Sequence, residues 1–150
     1  MNRIEKVMFS ALIFIFLWIG FIAYLYIKPY NISDVWIQPM PVTTERVKAW
    51  GTLTYIAEYC RYITVEADVT KILVPADEGS SILLGTDPRS SLPRTPRDCS
   101  SDNPKSVSIG NFIPIDVKPW IYKLEIEVKY PILPWRTDHY TFQTEEFEIY

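Results

Sequence analysis

The chain has few residues with which to run a reaction. His139 is its one histidine, and neither a second histidine nor a cysteine stands at metal-ligand spacing from it, so no zinc site is expected. Gly79-Ser80-Ser81 lacks the GxSxG spacing that exposes a nucleophilic serine at a strand-to-helix elbow. The five glycines are scattered singly and form no phosphate cradle. Asp77, Glu78 and Asp87 form one acidic group and Asp98 and Asp102 another. Neither has the DxDxDG order of a dedicated calcium loop, so both read as solvated carboxylates. No catalytic residue, cofactor or metal is expected, and the chain reads as a non-enzyme.

Two sets of residues remain. Cys60 and Cys99 are the only thiols. Arg89, Arg94 and Arg97 lie in PRSSLPRTPRDC, a segment that Pro88, Pro93 and Pro96 hold partly extended. These arginines belong to a longer run, Asp77 to Lys105, of 29 residues with four prolines and two glycines. Its one apolar cluster, Ile82-Leu83-Leu84, has room for a short strand. A loop this long is usually functional or mobile. The arginines therefore mark a candidate partner-contact loop, against the plainer alternative of a solvated loop whose charges keep it soluble.

These residues are positioned by an N-terminal apolar segment and a β-rich remainder. Val7 to Ile27 is a run of 21 residues without a side chain charged at neutral pH. At about 1.5 Å rise per residue it spans roughly 30 Å as a helix, the thickness of a bilayer's hydrocarbon core. Arg3, Lys6 and the amino terminus precede it and Lys28 follows, which favours an internal N-terminus and an exported C-terminus. Tyr24, Tyr26, Tyr30 and Trp36 gather at its distal end, as in an interfacial aromatic belt. A cleaved signal peptide is the rival reading. The apolar core is about twice the usual length for one, and Phe21 sits two positions before Ala23, where a peptidase wants a small residue. No small-xxx-small spacing marks a helix-pairing face.

The expected organisation is a cytoplasmic N-terminus (residues 1–6), a transmembrane helix (7–27), a proline-containing stalk (28–42) and an exported β domain (43–150). Asn31-Ile32-Ser33 matches a glycosylation sequon, but it lies four residues past the span, too near the bilayer for easy modification. Beyond Lys28 there are 12 cations and 17 acids, a net charge of −5. That balance argues against a nucleic-acid or anionic-lipid surface. Abundant proline and aromatics with little glycine suit a β-rich globule with stiff loops.

Strand signals follow from Trp50 onward. Arg46 to Tyr55 reads as one or two strands interrupted at Gly51. Ile63, Val65, Ala67 and Val69 alternate with polar residues, and the pattern breaks at Lys71 and resumes as Ile72 and Val74 on the other phase, which implies a bulge near Lys71. Phe112, Ile113 and Ile115 read as a short strand. Tyr122, Leu124, Ile126, Val128 and Tyr130 alternate with charged residues and predict an antiparallel strand with one wet face. PILPWR turns the chain, and Thr137 to Tyr150 returns with a phase change near Glu145.

The order of these signals resembles an immunoglobulin-like or fibronectin-like β-sandwich. In it Tyr122-x-Leu124 is similar to the start of the penultimate strand, where a tyrosine corner sits. With its anchor, the chain resembles small single-span proteins of bacteria and their phages that carry an exported sandwich domain. Cys99 falls in a loop and no tryptophan lies between the cysteines, so the intersheet disulfide of antibody domains is not implied. An exported domain with two cysteines nevertheless favours a Cys60–Cys99 bond, with free thiols or intermolecular pairing as the alternatives. The function expected is a membrane-anchored binding module in the cytoplasmic membrane, its domain periplasmic or extracellular. It would be held by the lipid bilayer through residues 7–27 and would meet a protein partner in the envelope. The alternative is an accessory or regulatory subunit of a membrane complex, in lysis control or phage exclusion, acting through its helix.

Overall fold

The computed structural model describes residues 3–27, 33–35, 38–77, 79–133 and 136–150. The chain divides into two compact units, Met1–Asn31 and Ile32–Tyr150. The first is the helix α1, Arg3–Ile27. Its sequence has no internal proline, and Pro29 lies just beyond its end, where a proline cannot continue a helix. The Ser10 hydroxyl donates to the Lys6 carbonyl at 3.0 Å, which satisfies a polar group within the apolar run. Within α1, Ile4–Leu25 is long and apolar enough to cross a membrane, a property that signal sequences share.

The second unit is built from β1 (Ser33–Val35), β2 (Arg46–Val47), β3 (Thr52–Arg61), β4 (Val65–Pro75), β5 (Ile82–Leu92), β6 (Lys105–Phe112), β7 (Trp120–Leu133), β8 (Arg136–Gln143) and β9 (Phe147–Ile149). One sheet has the order β1-β3-β6 and the other β2-β9-β7-β4-β5, with β8 also pairing β7. β9 lies against Trp120–Tyr122 and β8 against Glu125–Leu133, so the two share one edge of β7 in succession. Between them Thr144 is fully buried, its Oγ1 accepting the Leu124 N–H at 3.0 Å and donating to the Glu145 carbonyl at 2.9 Å. This is the phase change expected near Glu145. The side chain takes over a ladder position while the strand kinks and the core-facing row passes from Phe142 to Phe147.

The two sheets share one core. β7 supplies Tyr122, Leu124, Ile126, Val128 and Tyr130, all buried, and β3 supplies Leu53, Tyr55 and Ala57 from the other sheet. The alternation of β7 is therefore realised as expected, with Lys123, Glu125 and Glu127 on the more open face. At the start of β7 the Tyr122 hydroxyl donates to the Lys118 carbonyl at 3.1 Å and ties the preceding corner to the strand.

The structure departs from the sequence reading in four places. The run from Asp77 to Lys105 is not one loop: Ile82–Leu92 is an 11-residue edge strand paired along β4. Two register irregularities sit on this pair, and in each the extra residue lies on β5: Pro88 and Arg89 together face Asp68, and Leu84 is the surplus residue of the second. β4 keeps an unbroken register with β7, so Leu73, not Ile72 or Val74, is the core residue, and Lys71 stays on the inward row. The strand expected at Phe112–Ile115 instead ends at Phe112 and begins at Lys105, on the alternation Val107, Ile109, Asn111. Finally, part of the segment read as stalk belongs to the second unit. β1 pairs with β3, Met40 is buried at 2 % exposure, and Met40 and Pro41 hydrogen-bond to opposite sheets, to Gln143 and Ile56 respectively. Lys28 to Ile32, with the sequon residues Asn31 and Ile32, lie outside the described residues.

Candidate functional site

The end of β3 and the segment that follows β5 form one constructed corner. Arg61, the last residue of β3, exchanges hydrogen bonds with Thr95: the Arg61 N–H donates to Thr95 Oγ1 at 2.9 Å and the Thr95 N–H returns to the Arg61 carbonyl at 3.0 Å. Thr95 is buried for this purpose. Arg61 Nη1 also donates to the Pro93 carbonyl at 3.1 Å, and the Arg94 N–H donates to Thr64 Oγ1 at 3.2 Å. One residue before Arg61, the sulfurs of Cys60 and Cys99 lie at bonding distance, with Cα atoms 5.7 Å apart. A turn in which the Cys99 N–H donates to the Pro96 carbonyl, and a reciprocal pair between Ser100 and Asn103, complete the segment.

Arg94 and Arg97 are exposed on this braced segment, and neither guanidinium has an ion pair among the described residues. The structure thus brings Cys60 to Cys99 and sets two of the three candidate arginines on the loop they fasten. Arg89 stands apart. It lies within β5, exposed, in left-handed backbone with φ 51°, and its N–H donates to Asp68 Oδ1 at 3.0 Å. The carboxylate caps the bulge that forces the unusual dihedral.

Sequence reasoning did not single out Arg61. Its position on β3 is in phase with the core residues Tyr55 and Ala57, and Lys71 on β4 is in phase with Leu73. Both line a cavity of about 200 Å³ between the sheets, walled otherwise by apolar side chains including Val69, Leu92, Ile109 and Val128. The guanidinium of Arg61 lies over the Tyr59 ring, 4.9 Å from its centroid, and its Nε is buried without a hydrogen-bond partner. Burial pulls the pKa of Arg61 below its ordinary value, and the proximity of Tyr59 opposes that shift. Lys71 Nζ pairs with Asp87 at 3.1 Å. The detectable signal was the break at Lys71, a cation on an otherwise apolar row.

A wide groove of about 930 Å³ runs along the β8–β9 kink, and Glu45, Glu145 and Glu146 face it. Two of these carboxylates are engaged locally: Glu146 pairs with Lys123 at 3.4 Å and Glu145 accepts the Val42 N–H at 3.4 Å. Among the described residues no group of three histidine, cysteine or acidic side chains could hold a metal ion. His139 is exposed on β8, and Ser80 and Ser81 are exposed between β4 and β5.

No protein-family model matches the chain and no curated protein matches it. Among solved structures it is similar to a family 123 glycoside hydrolase from Clostridium perfringens, studied for glycolipid glycan hydrolysis, with 18 % identity and a TM-score of 0.41. The similarity covers 85 % of this chain and 24 % of that one, so the chain spans about a quarter of the hydrolase's length. A likeness at that level bears on neither activity nor substrate.

Proposed function

We propose that this protein is a non-enzymatic binding module held in the cytoplasmic membrane by α1, with its β unit outside the cytoplasm, meeting a protein partner through the corner that carries Arg94 and Arg97. The strand orders β1-β3-β6 and β2-β9-β7-β4-β5 support an immunoglobulin-like, and more closely a fibronectin-like, sandwich. The Tyr122 to Lys118 hydrogen bond supports a tyrosine corner at the penultimate strand. The basic flank before the span supports an internal N-terminus.

One observation carries the assignment of the contact surface. Arg94 and Arg97 are exposed and without an ion pair among the described residues, on a segment fastened by the Thr95–Arg61 exchange and the Cys60–Cys99 pair, within a unit whose charge is otherwise acidic. Long cations on a stiff base lose less conformational entropy on binding than cations on a free loop. They suit a partner that presents carboxylates, since arginine forks recognise carboxylates with two parallel hydrogen bonds.

The test places a photocrosslinking residue at position 98, the exposed neighbour of Arg97, in the full chain in the membranes of its native host. A discrete adduct is expected, lost when Arg94→Glu and Arg97→Glu are combined. The same adduct should persist when Val7–Ile27 is replaced by an unrelated span. An adduct that survives the charge reversals, or that needs the native span, would transfer the function to the helix and favour the accessory-subunit reading.

A further inference from the structure

The cavity between β3 and β4 combines features that call for a ligand. Its lining is mostly apolar, with the tyrosines Tyr55 and Tyr59 and two cations, Arg61 and Lys71, which come from strands in opposite sheets. Arg61 donates from Nη1 to the neutral Pro93 carbonyl and has no carboxylate partner among the described residues. Among the described residues the Lys71 ammonium pairs with Asp87 alone, with side-chain exposures of 29 % and 63 %. An ion pair that open contributes little, so Lys71 can change partners at small cost.

We infer that this cavity binds a single-chain amphiphile with an anionic head, of which a medium-chain fatty acid is the simplest: the chain occupies the apolar hollow and the carboxylate meets Arg61 and Lys71. The volume of about 200 Å³ lies below the roughly 300 to 1,000 Å³ of sites for drug-sized ligands, which suits one short acyl chain. A purely apolar guest would bring no anion to Arg61. An inorganic anion would satisfy the cations and leave the apolar walls facing a void or ill-matched water. Only a guest with both characters answers both walls, its carboxylate set against the two cations. Lowering of the Arg61 pKa by burial agrees with a cation short of anionic company.

The test uses the full-length chain in phospholipid nanodiscs and follows the methyl resonances of Val69 and Ile126 by NMR during titration with octanoate, 1-octanol and acetate. Octanoate should shift both saturably, at least tenfold more tightly than octanol, and acetate should shift neither. Arg61→Met should weaken octanoate tenfold or more, and Ile109→Trp, which fills the hollow, should abolish binding. Each variant is first checked for native amide dispersion, and Leu92→Trp replaces Ile109→Trp if the latter does not fold. The inference is overturned if octanoate gives no saturable shift or if the filled variant binds equally well. It is overturned too if octanol binds as tightly, which would leave a plain hollow, or if acetate moves the same methyls, which would leave an adventitious ion only.

Discussion

Arg89 lets the cost of a backbone conformation be separated from the use of a side chain. A non-glycine residue in left-handed backbone is held there at about 1 kcal/mol, a cost glycine does not carry. Arg89→Gly should therefore leave the unit as stable or up to about 1 kcal/mol more stable in urea unfolding. Asp68→Ala, which removes the carboxylate capping the Arg89 N–H, should destabilise it by about 1 kcal/mol. Equal destabilisation by both would show that the bulge does not set the dihedral. Two buried tyrosines make a second residue-scale prediction. Tyr55 and Tyr130 are each 1 % exposed, and burial pushes both phenols above their ordinary value. Asn111, whose side-chain amide donates to Tyr55 Oη at 3.2 Å, opposes the rise at Tyr55, whereas Tyr140 adds to it at Tyr130. The native state thus holds protons that the unfolded chain releases above about pH 10. Stability is complete below that pH and falls as pH rises above it, by about 1.4 kcal/mol per unit per tyrosine. Urea midpoints measured from pH 8 to 11 should be level at first and then drop. A level profile through pH 11 would mean that these phenols are open to water.

At the scale of elements, β7 was legible because a two-residue period over nine positions has one physical solution, a strand with one face in the core. Val128, 8 % exposed, lies on that face and Glu127 on the other. Val128→Asp should unfold the unit through an unpaired buried charge costing several kcal/mol, whereas Glu127→Lys should shift stability by about 0.5 kcal/mol or less. Thermal unfolding of the two full-length variants compares them directly, and similar losses would refute the register. β5 was not legible for an equally physical reason. It is an edge strand with Gly85, Asp87 and Pro88 at its centre and two bulges, the features by which edges avoid pairing with other chains and by which a sequence looks like a loop. β6 was hidden by weak apolar content, since Val107 and Ile109 stand among serines and a glycine. The corner site was legible only in part. Its prolines, cysteines and arginines drew notice, but Thr95, a buried threonine in a polar run, has no local signature, and Arg61 reveals its inward position only once β3 has a phase. That phase was ambiguous over Leu53 to Tyr62, where apolar residues occupy both rows.

At the scale of the molecule, the fold and the membrane topology meet at the cysteines. Residues 60 and 99 are separated by 39 positions, and closing such a loop removes denatured-state entropy worth roughly 4 kcal/mol in the chain-entropy model. For a unit of this size that is a large share of the stability expected, about 5–15 kcal/mol. The contribution exists only in a compartment that lets thiols oxidise, so under the proposed anchoring the state of this bond reports which side of the membrane the unit occupies. With an internal N-terminus, the full chain isolated from membranes without reductant should have no reactive thiol after denaturation and should run as a monomer. Cys60→Ser combined with Cys99→Ser should then lower the urea midpoint markedly, and Arg94 and Arg97 should become more mobile as their base loosens. A reporter fused after Tyr150 supplies the independent arm: one that works only outside the cytoplasm should be active. Two reactive thiols together with an inactive reporter would place the unit in the cytoplasm and remove the reason for the bond. Two reactive thiols with an active reporter would instead separate the questions, keeping the topology and leaving the Thr95–Arg61 exchange as the main brace of the corner.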